Sequence, residues 1–119
     1  MQNTPKDLHR KILGRKGEDL AVEYLKKHKY KILERNFKTP FGEADVIALK
    51  GDTYCFIEVK TRTSDVCGEP FEAVDFRKQE RYRKIAWHYC GMLKKEVPCR
   101  FDVVSILDGV LTYYENAFI

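Results

Sequence analysis

The succession of hydrophobic and polar residues is most informative in the middle of the chain, in residues 42–62. Two extended runs, residues 45–49 and 54–61, flank Gly51 and Asp52, and these residue types favour a reversal of the chain. The pattern predicts a β-hairpin.

Acidic residues lie within both runs of this hairpin. Side chains of a strand alternate between its faces, so Glu58 and Lys60 are expected on one face of the second run. By the same rule, Asp45 is expected to share a face of the first run with Ile47. Pairing of the two runs then brings Asp45 close to Glu58.

Two interpretations fit this arrangement. In the first, the paired carboxylates hold a hard divalent cation, Mg²⁺ or Mn²⁺, in a site for phosphate-ester cleavage. In the second, Glu58 and Lys60 belong to a solvated hairpin face. Most neighbouring residues are apolar, and charges among them are costly unless paired or metal-bound, so we favour the metal site.

A helix is predicted from Leu13 to about Lys27, because apolar residues recur there with helical spacing. Gly17 lies on the apolar face, where a small residue allows close approach to a sheet. Glu18 lies at the border of this face, either as a surface acid or reaching into a cleft beside the sheet. The expected apolar residues are Leu13, Leu20, Ala21, Tyr24 and Leu25.

A second helix is predicted over residues 74–93. Lys78 falls within its apolar face, so it reaches towards the acidic site and a phosphate, or its stem covers the edge of the core. Phe76 and Trp87 lie opposite, where Trp87 packs on another layer, forms a dimer contact or stacks on a base. The expected apolar residues are Val74, Tyr82, Ile85, Ala86, Tyr89, Met92 and Leu93.

The remaining segments complete an order of helix, three strands, helix and strand. Residues 30–37 are expected to form the first strand, and residues 100–107 a buried one in which Asp102 is a paired structural acid or a distant site residue. Residues 111–114 are an edge strand or a docked tail. Residues 62–71 are expected to form a loop that closes over a substrate. This order predicts a mixed α/β sheet flanked by helices.

Composition sets the broad class. The 119 residues suffice for one domain, here residues 13–119 after a flexible arm or frayed helix start in residues 1–12. A net charge of +4 permits nucleic-acid binding. We expect a cytosolic protein with reduced thiols and no membrane span. A zinc site is conceivable, but the spacing of its possible ligands is poor. These ligands are Cys67, His88, Cys90 and Cys99.

Asp45 followed by Glu58-Val59-Lys60 resembles the D…E-x-K signature of the restriction-endonuclease-like PD-(D/E)XK superfamily. The chain resembles more narrowly the small YraN-type proteins of that superfamily, which are related to archaeal-type Holliday junction resolvases. Ala44 stands where the superfamily name has Pro. This difference removes no metal ligand. The matching segments are GRKGEDLAVEYL (14–25), GEADVIAL (42–49), FIEVKTR (56–62), GEPFEAVDFRKQERYRKIA (68–86) and RFDVV (100–104).

The resemblance implies a restriction-endonuclease-like core and a metal-dependent endonuclease acting on DNA, for example on branched DNA. It implies that Asp45, Glu58 and the Val59 carbonyl bind Mg²⁺ or Mn²⁺, that Lys60 handles the attacking water, and that Glu18 joins the site. Basic residues would hold the DNA backbone, and a homodimer would suit two cuts. The alternative is a catalytically silent module that binds DNA or a protein partner. The expected DNA-binding residues are Arg62, Arg77, Lys78, Arg81 and Lys84.

Overall fold

The computed structural model describes residues 5–63 and 76–117, with side chains described from residue 15 onward. These parts of the chain form two helices and five strands. The elements are α1 (Pro5–Lys27), β1 (Lys31–Thr39), β2 (Gly42–Lys50), β3 (Thr53–Arg62), α2 (Phe76–Leu93), β4 (Cys99–Leu107) and β5 (Val110–Tyr114).

The strands form one mixed sheet in the order β1-β2-β3-β4-β5. β3 and β4 are parallel, and the other neighbouring pairs are antiparallel. The predicted mixed sheet and its element order are confirmed. The arrangement is compatible with a restriction-endonuclease-like fold. Of the two interpretations of residues 111–114, the edge strand is correct.

The helices cover opposite faces of the sheet, because the buried residues separate into two clusters. One cluster joins α1, through Ala21 and Leu25, to one face of the central strands. The other joins α2, through Tyr82 and Ile85, to the opposite face. The site between the hairpin and α2 therefore lies inside a three-layer structure. No helix within the described residues is long and apolar enough to cross a bilayer.

Helix α1 ends in a backbone motif that sets the entry into β1. Lys29 has a φ of 67°, and the N–H of Tyr30 donates to the Leu25 carbonyl at 2.9 Å while that of Lys29 donates to the Lys26 carbonyl at 3.1 Å. This is a Schellman ending, and Leu25 and Tyr30 are buried in the same cluster, as that motif favours. The turn into the sheet is thus fixed by local bonds.

The helix boundaries and apolar faces differ in part from the sequence predictions. α1 begins at Pro5, before the predicted start at Leu13, and so includes residues 5–12 of the expected arm. Leu20 and Met92 are 42% and 57% exposed, so their placement in the core was wrong. α1 packs through Ala21 and Val22, and Leu20 falls to one side of that stripe. Residues 1–4 and 64–75, which include Val74 and most of the predicted loop, lie outside the described parts.

Strand β2 does not alternate regularly through Asp45. Ala44 packs with Ile47 in the cluster against α2, whereas Val46 packs against α1. Regular alternation would place Ala44 with Val46, so the strict alternation of the strand ends between these two residues. Asn36, beside this point on β1, has a left-handed φ of 52°, which breaks the pleat of the paired strands.

Asp102 on β4 is a structural acid, as one of its two interpretations predicted. It is fully buried and accepts hydrogen bonds from the Arg100 guanidinium at 2.9 to 3.1 Å. The Tyr113 hydroxyl donates to it at 2.5 Å, and the Asn116 backbone N–H at 2.8 Å. These bonds join β4 to β5 and compensate the buried charge.

Candidate active site

The hairpin brings Asp45 to the point where regular pairing of β2 with β3 ends. The last ladder pair is Val46 with Ile57. Beyond it, the Asp45 Oδ2 atom accepts a hydrogen bond from the Val59 backbone N–H at 2.8 Å. The carboxylate therefore takes the place of a ladder acceptor and is fixed beside Glu58.

Glu58 is a buried carboxylate with a partner on each oxygen. Glu58 as a whole is 7% exposed to solvent. The Lys78 Nζ atom lies 2.5 Å from Oε1, and the Tyr82 hydroxyl donates to Oε2 at 2.6 Å. A buried charge of this kind is tolerated because it is paired and hydrogen-bonded. Helix α2 thus completes the acidic site, and Lys78 reaches towards it, as one interpretation of its position predicted.

Tyr82 ties the two acid-bearing strands together. Its hydroxyl donates to Glu58 and accepts a 3.4 Å hydrogen bond from the Asp45 backbone N–H. Burial, followed by the charges of Glu58 and Asp45, raises its pKa well above the usual value, so it remains a donor. The helical pattern predicted only a core position for Tyr82. Its spacing of one turn from Lys78, together with the need of a buried hydroxyl for a partner, could have identified it.

The electrostatics of the site shift two groups towards neutrality. Burial and then the charge of Glu58 raise the pKa of Asp45 to about 7, against the lowering effect of the Val59 N–H. Burial, then the charges of Lys78 and Arg62, lower the pKa of Lys60. Groups shifted in this way are typical of metal-binding and proton-transfer sites.

Glu18 lies near this pair but is held by β1. Its Oε1 atom accepts hydrogen bonds from the Asn36 amide at 2.9 Å and the Arg35 guanidinium at 3.2 Å. Arg35 also binds Asp19 at 2.7 Å. The charge of Glu18 contributes to the raised pKa of Asp45, which places it within electrostatic range of the site. The role of Arg35 was missed because it depends on β1 crossing under α1.

The donors at this site match a hard cation. Asp45 and Glu58 offer carboxylate oxygens, and Mg²⁺ usually takes one or two carboxylates and completes its shell with water and phosphate oxygens. Among the described residues, no three His, Cys, Asp or Glu side chains converge as a metal cluster. Glu18 is held by Arg35 and Asn36 in this arrangement.

The predicted DNA-binding residues surround the site unevenly. Lys78 contacts Glu58, and Arg62 lies half-buried at the end of β3. Arg77, Arg81 and Lys84 are exposed on α2. One side of α2 therefore serves the carboxylates, while another presents cations to solvent.

Of the residues of the conceivable zinc set, the structure brings two cysteines together. The Sγ atoms of Cys90 and Cys99 are 3.5 Å apart. Cys67 lies outside the described residues. Cys55 is buried within the sheet.

Comparison with known proteins places the site residues in a matched region. The model of the uncharacterised protein family UPF0102 matches residues 17–106. A UPF0102 protein of Thermodesulfovibrio yellowstonii is 52% identical over 106 residues, which cover 89% of this chain and 95% of the relative. Those of Geobacter metallireducens and Dictyoglomus thermophilum are 51% and 48% identical over 100 and 101 residues. These matches cover 83% and 84% of this chain, and 82% and 86% of the relatives.

Proposed function

The chain belongs to the UPF0102 (YraN) family, and on that basis we propose that it is a metal-dependent endonuclease that hydrolyses DNA phosphodiesters. The observation that carries the proposal is the convergence of Asp45 and Glu58 beside Lys60, with Lys78 and Tyr82 from α2 closing the site. A buried acid linked to a lysine, with a half-buried acid beside it, has no evident purpose in packing alone, because apolar residues would fill the same space at lower cost.

Asp45, Glu58 and the Val59 carbonyl would hold Mg²⁺ or Mn²⁺. The bound ion would lower the pKa of a coordinated water and offset the charge that develops on the scissile phosphate. The Val59 N–H already orients the Asp45 carboxylate for this role through its bond to Oδ2. Tyr82 keeps the Glu58 carboxylate in one position by donating to Oε2.

Lys60 would orient the attacking water and accept a proton from it at Nζ. The lowered pKa of Lys60 supports this role, because a lysine closer to neutrality can act as a base. Lys78 would exchange its contact with Glu58 for a phosphate oxygen when DNA binds. Glu18 would act at the edge of the site by raising the pKa of Asp45 and by fixing Arg35.

The exposed cations Arg77, Arg81 and Lys84, with Arg62 beside the site, would bind the phosphate backbone. Such contacts position DNA without reading its bases, and they weaken as salt rises. Selection of branched DNA by shape is consistent with this mode of binding, and a homodimer would place two sites on two strands.

One observation favours a second candidate, a binding module without cleavage. Both oxygens of Glu58 already have partners, Lys78 and Tyr82, so the carboxylate is neutralised without a metal ion. In that case α2 would still bind DNA, but the acids would serve only to attach the helix to the sheet.

Cleavage of labelled linear, flapped and four-way-branched DNA tests the proposal, with Mg²⁺, Mn²⁺ or EDTA. We expect metal-dependent cleavage that Asp45→Asn and Glu58→Gln reduce at least about a hundredfold. Binding in EDTA should change much less in Asp45→Asn, which keeps the size of the side chain. Cleavage at the wild-type rate by Asp45→Asn would refute the metal assignment. A folded wild type that binds DNA without cutting it, and takes up no Mg²⁺ by calorimetry, would establish the second candidate.

A further inference from the structure

We propose that the outer side of α2, from Arg77 to Trp87, binds single-stranded nucleic acid, with one base stacked on Trp87. The inference rests on the proposed function and deepens it, because it names the kind of strand that the site receives. It is carried by an exposed aromatic cluster that continues a line of exposed cations.

The aromatic cluster is formed by α2 and the turn between β1 and β2. Trp87 is 73% exposed. The ring of Phe41, in the turn, meets the Trp87 ring nearly edge-on at 6.4 Å between centroids and the His88 ring at 6.2 Å. The edge contact supports Trp87 from one side and leaves much of its surface open. A supported ring loses little conformational freedom when a base stacks on it.

Three cations lead along α2 towards this cluster. Arg77, Arg81 and Lys84 follow one another at intervals of four and three residues, which places them in one stripe about 10 Å long. Among the residues that the structure describes, none of the three forms an ion pair; Arg83, by contrast, lies 3.5 Å from Glu80. Trp87 follows Lys84 by one helical turn, so the stripe and the ring are continuous.

The β1–β2 turn joins the stripe to the cluster. Gly42, next to Phe41, has a φ of 133° and no Cβ; a Cβ there would lie 2.5 Å from Cδ of Arg81. The Arg81 stem therefore lies against the turn that carries Phe41. At the start of α2, Lys78 reaches Glu58. The stripe thus runs from the candidate active site to the aromatic cluster.

These features favour a single strand over a duplex. Bases stacked within a duplex do not offer their faces to a protein ring, whereas an unpaired base does. The stripe matches the phosphates of such a strand in charge. A second copy of the chain fits poorly, because it would bring the same cations against this surface.

Trp87 is the only tryptophan of the chain, so its fluorescence reports directly on this surface. The probe is an oligothymidylate of about ten nucleotides in EDTA, compared with a duplex of the same length. We expect the single strand to quench Trp87. With dye-labelled DNA, whose anisotropy reports on binding without Trp87, Trp87→Ala should weaken single-strand binding about tenfold while duplex binding changes less than about twofold. Arg81→Gln should weaken both and lower the salt slope by about one.

Phe76→Ala is the matched control. It removes a ring that is 70% exposed on the same helix but lies about three turns from Trp87. It should leave single-strand binding within about twofold of the wild type. Equal losses in Phe76→Ala and Trp87→Ala would overturn the assignment of a specific stacking site.

Other results would also overturn it. Unquenched Trp87, or unchanged single-strand binding in Trp87→Ala, excludes the stacked base. The surface is instead a dimer interface if the fluorescence of Trp87 changes with protein concentration and if Trp87→Ala dissociates a dimer. These binding assays need no metal, so their result does not depend on whether the protein cleaves DNA. The Asp45→Asn cleavage assay tests the proposed function separately.

Discussion

Replacing Gly17 by alanine tests the close contact between α1 and β3. Gly17 is buried opposite Thr61. A Cβ at this position would lie 1.9 Å from Oγ1 of Thr61, 3.0 Å from its Cβ and 3.1 Å from its Cγ2. Rotation of the threonine can relieve the first distance but not the second, because the Cβ of Thr61 is fixed by the strand. The helix must therefore move away from the sheet.

The size of the effect follows from two opposing terms. Overpacking by one methyl group costs about 1–3 kcal/mol. Alanine stabilises a helix by about 1 kcal/mol relative to glycine, which opposes this cost. We expect Gly17→Ala to lower the free energy of unfolding by up to about 2 kcal/mol. At Gly91 on α2, an added Cβ would have no atom within 4 Å. Gly91→Ala should therefore raise the free energy of unfolding by about 0.5–1 kcal/mol.

Urea unfolding followed by circular dichroism measures both variants. A double-mutant cycle with Thr61→Gly, which removes every clashing atom, should recover most of the loss in Gly17→Ala. The reasoning is refuted if Gly17→Ala stabilises the protein as much as Gly91→Ala does. Because Glu18 follows Gly17, displacement of α1 should also lower the pKa of Asp45 by moving a negative charge away.

Two further predictions concern the titration of the site and the thiol pair. The pKa of Asp45, about 7 when folded, exceeds its unfolded value, so its contribution to stability is present at low pH and lost as pH rises through 7. In EDTA, lowering the pH from 7 to 5.5 should therefore favour folding of the wild type over that of Asp45→Asn by about 1.5 kcal/mol in urea titrations; parallel profiles would contradict this. With Cys90 and Cys99 Sγ atoms 3.5 Å apart, glutathione disulfide should produce an intramolecular disulfide through thiol exchange. Mass spectrometry after maleimide labelling detects it; maleimide on both Cys90 and Cys99 after this treatment would refute the pairing, and Cys99→Ser, which cannot form the disulfide, is the control.

The sequence predicted the features of the site that depend on local geometry. Asp45 and Glu58 converge because a short turn joins their strands, and Lys78 was identified because a lysine in an apolar helix face needs an anion. The break in alternation beside Asn36 could not be predicted, because it depends on a left-handed residue in a neighbouring strand.

Partners that meet only through tertiary packing were also missed. Tyr82 lies on the apolar face of its helix, as a core residue does. Only the docking of α2 places its hydroxyl between Glu58 and Asp45. Arg35 reads as an exposed strand residue, and only the crossing of α1 over β1 gives it Glu18 and Asp19 as partners. Periodicity specifies which face is buried, but it does not specify which polar atoms meet there.

The parallel pairing of β3 with β4 has a consequence for folding. β1, β2 and β3 are joined by short turns and can pair early, whereas β4 is separated from β3 by 36 residues of sequence that include α2. If the three-stranded meander pairs first, Asp45 and Glu58 meet before α2 brings Lys78 and Tyr82. Until α2 docks, their repulsion is relieved only by water, by a proton or by a dissolved cation. We infer that the acids oppose early pairing of the hairpin and that docking of α2 commits the chain to the native state.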